Sequence, residues 1–174
     1  MSGGGSYSNL DSNNSLESAT GSKLTIQQIY KKNADAVVEI STEVPTKSVL
    51  GNSVSQGAGS GVIVNKKGYI ATNYHVIEGA KKITVRLRNG QSRSASVVGY
   101  DEGNDIAVLK IGGSGYTSVT IGKSKKVQVG DLAVAIGNPL GQLGGTTTSG
   151  IISALDRQLS INGKKLTLLQ TDTA

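Results

Sequence analysis

The chain has 174 residues, of which 36% are apolar and 17% charged, a balance that suits one soluble domain with a real core and excludes disorder throughout. It has no Cys, which removes a disulfide framework, Cys-ligated zinc and a thiol nucleophile together. The net charge of +6 comes from scattered pairs such as Lys31-Lys32, Lys66-Lys67 and Lys125-Lys126, and there is no Phe or Trp beside six Tyr, so a solvated basic surface is expected and nucleic acid is not an expected partner.

Residues 1–22 are rich in Ser, Gly and Asn and bury too little to repay the entropy of ordering them, so they read as a flexible spacer. No stretch approaches the ~20 apolar residues that span a bilayer, and the first residues lack a charged-then-apolar signal pattern, so any export signal or anchor is expected outside these residues. From Leu24 to about Lys32, Ile26, Ile29 and Tyr30 fall at helical spacing, and Thr25 with Gln28 has the form of a capping box. One short amphipathic helix is predicted there.

The period then shortens to two, or to continuous apolar runs closed by Gly, Asn or Asp. Ala36–Ile40 is the first predicted strand. Gly61–Val64 and Tyr69–Thr72 follow, joined by Asn65-Lys66-Lys67-Gly68, a hairpin turn by length and by its Gly. Ile83, Val85 and Leu87 alternate with Thr84, Arg86 and Arg88, and Asn89-Gly90 predicts a two-residue turn into Ser92–Val98. Ile106–Ile111, Leu132–Ile136, Gly150–Leu155 and Leu166–Gln170 complete the predicted strands. Some ten short strands without strand–helix alternation point to an all-β barrel or sandwich.

His75 is the only His in the chain, so any imidazole proton transfer must run through it. A lone His after a strand is ordinarily structural or merely exposed. Here Tyr69-Ile70-Ala71-Thr72-Asn73-Tyr74-His75 ends a strand at a short turn, which places the ring toward a cleft. Thirty residues on, Asp105 precedes the apolar run Ile106-Ala107-Val108-Leu109, where its carboxylate can accept from the imidazole Nδ1–H and fix the tautomer that takes a proton at Nε2. The plainer role for Asp105 is a turn residue, which Asn104 would also serve. Neither residue decides alone; the order His then Asp, each joined to a strand, is that of a chymotrypsin-type triad.

Four segments in the same order carry a resemblance to a known family: Gly59-Ser60-Gly61-Val62-Ile63-Val64, Gly68-Tyr69-Ile70-Ala71-Thr72-Asn73-Tyr74-His75-Val76, Asn104-Asp105-Ile106-Ala107-Val108-Leu109-Lys110 and Val129-Gly130-Asp131-Leu132-Ala133-Val134-Ala135-Ile136-Gly137-Asn138-Pro139. They resemble the HtrA (Deg) family of trypsin-like serine proteases. The likeness runs from about Ile26 to the last residue and includes Thr148–Leu155.

It implies a chymotrypsin/trypsin-like double β-barrel with one short N-terminal helix: a first, complete barrel over 23–123 with the His and Asp, and the opening strands of a partial second barrel over 124–174. It also implies His75 as general base and Asp105 as its orienting partner. In this family a motif like Leu169-Gln170-Thr171-Asp172 leads into a Gly-Asn-Ser-Gly-Gly loop that holds the nucleophile, so that Ser is expected beyond Ala174 and the 174 residues alone are expected to be inactive. Ser60 and Ser149 are tempting substitutes, but neither lies in a Gly-x-Ser-x-Gly elbow and the family match places both at strand starts.

The resemblance further implies unfolded or misfolded protein substrates, extracytoplasmic quality control, a homotrimer and a downstream PDZ domain, with no cofactor and no metal. It assigns Ser48–Gln56 to the loop between the first two strands and Asn138–Thr147 to a regulatory loop, although both also read as plain flexible loops. The competing function is a noncatalytic, protease-derived binding module that keeps the first barrel for partner recognition. A third, a nucleic-acid-binding barrel prompted by the pI of 9.5, would betray itself by salt-dependent binding.

Overall fold

The computed structural model describes residues 24–48, 51–137, 146–161 and 164–173. The predicted spacer over 1–22 lies outside them, as does most of the predicted regulatory loop at Asn138–Thr147.

The first element is helix α1, Ile26–Asn33. It begins at Thr25, whose hydroxyl accepts from Gln28 N at 3.2 Å while the Gln28 side chain accepts from Thr25 N at 2.8 Å, closing the predicted capping box. A single turn of 3₁₀ helix, Ala34–Ala36, then buries two alanines and feeds the first strand.

Six antiparallel strands form a closed barrel in the order β1-β2-β3-β6-β5-β4. They are β1 (Val37–Ser48), β2 (Gly51–Ile63), β3 (Tyr69–Thr72), β4 (Lys82–Arg86), β5 (Ser92–Asp101) and β6 (Ile106–Ile111). Period-two alternation sends one side chain in two inward: Val38 and Ile40 from β1, Ile70 from β3, Ile83 and Val85 from β4, Ala107, Leu109 and Ile111 from β6. Of these Ile40, Ile70, Val85, Leu109 and Ile111 are fully buried, each contributing about 1.5–3 kcal/mol of transfer free energy. Thr72 is buried too, and its hydroxyl is satisfied by donating to Ser60 O at 2.8 Å.

Three expectations are corrected. Ser48 and residues 51–56 are strand rather than loop, because β1 and β2 stay paired in a register that continues through Val44↔Ser55 and Thr46↔Ser53 to Ser48↔Gly51. Pairing with a neighbour supplies what the Ser- and Gly-rich composition lacks. The β4–β5 connection is a three-residue loop: Leu87 and Gln91 pair across it, Gly90 N donates back to Leu87 O, and Gly90 has φ +84°, the geometry of a type I turn closed by a left-handed residue. Ser60 and Ser149 sit inside their strands, paired with Glu39 and Val134, rather than at strand starts.

The remaining strands β7 (Leu132–Gly137), β8 (Thr146–Ile161) and β9 (Lys164–Thr171) make a separate antiparallel sheet in the order β7-β8-β9. None of the residues of these strands whose burial is described is buried, and Leu132, Ile151, Leu155, Leu159 and Leu169 are exposed. The hydrophobic core therefore belongs to the barrel, and the sheet has two edges without a partner strand among the described residues. β8 is longer than predicted: it passes through Asp156, at φ +53°, with register irregularities against β9 between Ile152 and Arg157.

Candidate active site

His75 is carried by α2, a four-residue helix over Tyr74–Ile77 that starts as soon as β3 ends. Val76 anchors this helix by facing Gly59 of β2; a Cβ at Gly59 would lie 2.6 Å from Val76 Cγ2, so glycine there is what lets the helix sit against the barrel wall. Ile77 is buried in the core. With its two following residues so held, His75 projects outward and its side chain is 67% exposed.

Asp105 ends the turn between β5 and β6. Asp101 closes that turn by accepting from Asn104 N at 3.1 Å and from Asn104 Nδ2 at 2.7 Å. The turn duty thus falls to Asp101 and Asn104, and the Asp105 carboxylate is released toward α2. It accepts from His75 N through Oδ1 at 2.9 Å and faces His75 Nδ1 through Oδ2 at 2.8 Å. Asn73 Nδ2 donates to the same Oδ2 at 3.0 Å and to Asp105 O at 3.2 Å.

The Asp105 backbone has φ +54°, a left-handed conformation uncommon outside Gly, Asn and Asp, and one that concentrates at functional sites. Partial desolvation is the largest single influence on its carboxyl and pushes the pKa up. The hydrogen bonds from the His75 backbone and ring, the ring's charge and the bond from Asn73 together outweigh it, and the pKa lies below the ordinary carboxylate value. An ionised carboxylate only accepts, so Nδ1 carries the proton, and in the neutral form of the ring the lone pair is on Nε2. This is the arrangement of an imidazole oriented to take a proton at Nε2.

The two residues singled out from the sequence are therefore brought into direct contact. Ser60 and Ser149 lie in strand ladders. Two contributors were not singled out. Asn73 stands at the N-cap position of α2, yet its side chain makes no cap bond and goes to Asp105 instead; an Asn directly before the helix was the available signal. Tyr100 stacks on Tyr74 with ring centroids 4.9 Å apart, a contact between residues 26 apart that no local pattern announces. Among the described residues no group of three or more His, Asp or Glu side chains could hold a metal ion.

Residues 59–174 match the family described as "Trypsin-like peptidase domain", so a barrel with a His–Asp pair at its rim here belongs to the trypsin-like peptidase class. Similar proteins narrow this. The chain is 48% identical over 122 residues to the periplasmic pH-dependent serine endoprotease DegQ of Escherichia coli, covering 68% of this chain and 26% of that protein. It is 37% identical over 186 residues to the serine protease Do-like HtrA of Lactococcus lactis subsp. cremoris, covering 95% of this chain and 44% of that one. Among solved structures, the HtrA-type protease AlgW with a tripeptide superposes with a TM-score of 0.74 at 38% identity, over 86% of this chain and 46% of that chain. The chain belongs to the HtrA (Deg) family of trypsin-like serine proteases. It spans about a quarter to less than half of the length of these curated relatives.

Proposed function

We propose that this chain is the His- and Asp-bearing part of a serine endopeptidase that hydrolyses peptide bonds of unfolded or misfolded proteins outside the cytoplasm. The observation that carries the reading is the double engagement of one carboxylate, Oδ1 with the His75 backbone and Oδ2 with the ring Nδ1. It fixes the position and the tautomer of the imidazole at once.

His75 acts as general base: Nε2 takes the proton of a Ser hydroxyl as that oxygen attacks the peptide carbonyl, then returns it to the leaving amine. Asp105 stays ionised and stabilises the imidazolium formed between the two transfers. The Ser belongs to a Gly-Asn-Ser-Gly-Gly loop following Ala174, with backbone N–H groups that receive the oxyanion. On this reading residues 1–174 alone do not cleave protein, since the nucleophile is missing and loss of the oxyanion donors removes about another 10²–10³-fold.

Relatives named as periplasmic support the extracytoplasmic location, and no helix among the described residues is long and apolar enough to cross a membrane. A homotrimer and a PDZ domain are part of the same proposal.

The test is casein cleavage by the chain extended through its natural downstream sequence. Cleavage is expected, and His75→Ala is expected to abolish it. Asp105→Asn is expected to keep the fold and lose activity by a factor on the order of 10⁴, the loss seen in the chymotrypsin-type template when the tautomer is wrong. Unchanged cleavage in the His75→Ala protein would sink the assignment.

A further inference from the structure

The His75 turn and the Asp105 turn meet through bonds that converge on Asp105 itself: from His75 N, from the His75 ring and from Asn73. A second tie joins the same two turns without passing through Asp105. Tyr74, the first residue of α2 and the immediate neighbour of His75, stacks on Tyr100 near the end of β5 at a centroid distance of 4.9 Å and an interplanar angle of 27°.

Tyr100 is 62% exposed, so it is not placed there to fill the core. Just before it, β5 bulges between Val97 and Gly99 against β6, and bulges beside active sites commonly re-aim the side chains that follow. Just after it, the Asp101–Asn104 bonds stiffen the turn that ends at Asp105. Desolvation first, then the charges of Glu102, Glu78 and Tyr100, raise the Tyr74 phenol above its ordinary value and so favour its uncharged form.

We propose that the Tyr74–Tyr100 stack is a positioning clamp that holds the His75 turn against the Asp105 turn, keeping the Nδ1–Oδ2 bond formed while Nε2 exchanges protons with substrate groups. The role in catalysis rests on the protease reading. The clamp itself does not, and its test needs no hydrolysis. Neither ring touches the reacting atoms in this account; the pair acts through His75.

His75 is the only imidazole in the chain, so the solvent-exchange rate of its Nδ1–H can be followed by nitrogen-15 NMR on the whole 174-residue protein, with Asp105→Ala, which removes the acceptor without offering a donor, as the released reference. Offset-stacked aromatic pairs are strong enough that Tyr100→Ala should raise the exchange rate by about twofold to tenfold. Tyr100→Phe should hold it within about twofold, because stacking needs the ring and not the hydroxyl. Tyr100→Leu, which keeps bulk without a ring, should behave as the Ala variant and decides the matter if Tyr100→Ala fails to fold.

Wild-type exchange in both the Ala and Leu variants overturns the clamp. So does a Phe variant as fast as Ala, or a wild-type ring already as free as in Asp105→Ala. A failure of the protease reading would appear separately, as no casein cleavage by the extended chain. If both hold, Tyr100→Ala in that extended chain lowers kcat with little change in KM, and Tyr100→Phe restores kcat.

Discussion

Gly59 offers a direct test of how the barrel holds the site. A Cβ built there lies 2.6 Å from Val76 Cγ2 and 2.7 Å from Val76 Cγ1, so alanine forces Val76, and with it the short α2, away from β2. Overpacking of this kind costs about 1–3 kcal/mol. The stiffer unfolded chain of the alanine variant returns about 0.4–1 kcal/mol. The net is a loss of about 1–2 kcal/mol, which for a chain of this size lowers Tm by about 2–8 °C. Melting followed by circular dichroism measures that term, and the His75 ring resonances report whether the displacement reaches the imidazole. Adding Val76→Ala to Gly59→Ala should recover most of the stability, because the two side chains share one space. A Gly59→Ala protein with unchanged Tm and unmoved His75 resonances would refute the claim that Val76 seats α2 on Gly59.

Leu109 of β6 is fully buried, and Leu109→Ala should cost about 2–5 kcal/mol in denaturant unfolding; a loss under 1 kcal/mol would mean the barrel core is not where this fold puts it. At Gly150 a Cβ would fall on Asp172 Oδ1, the atom that accepts from Ile151 N, so Gly150→Ala should speed amide exchange at Ile151 while barrel amides keep their protection. Equal protection at Ile151 in both proteins would refute that contact. The Asp105 carboxyl titrates below its unfolded value of about 3.9. Its contribution to stability is therefore complete above the unfolded value and fades as pH falls through the folded one. The acid limb of the stability curve should be shallower in Asp105→Asn than in wild type, and parallel limbs would contradict the assigned bonds.

The parts of this fold that were legible in the sequence are those in which local chemistry and tertiary structure agree. Thr25 with Gln28 encodes a cap that forms as written. The Ile83-Val85 alternation encodes a strand whose buried face is the one predicted. The His75 and Asp105 pair was legible because each residue sits at the end of a strong strand signal and the two strands, β3 and β6, are neighbours in the barrel with Thr72 opposite Ala107. What was hidden depends on partners distant in sequence. Residues 53–56 carry a loop composition and become strand because β1 lies alongside them. Asp105 takes a positive φ that its neighbours do not announce. The Tyr74–Tyr100 stack joins residues whose only common feature in the sequence is a position just ahead of the two site turns.

In the proposed mechanism His75, held by Asp105, activates a Ser supplied by the sequence that follows Ala174. Reaction of the extended chain with a fluorophosphonate probe, read by mass spectrometry of its peptides, tests this most directly, because the probe forms an adduct only with an activated hydroxyl. One adduct is expected, on the Ser of a Gly-Asn-Ser-Gly-Gly loop, and it should be lost in His75→Ala. An adduct that survives His75→Ala, or none in the wild-type protein, would contradict it.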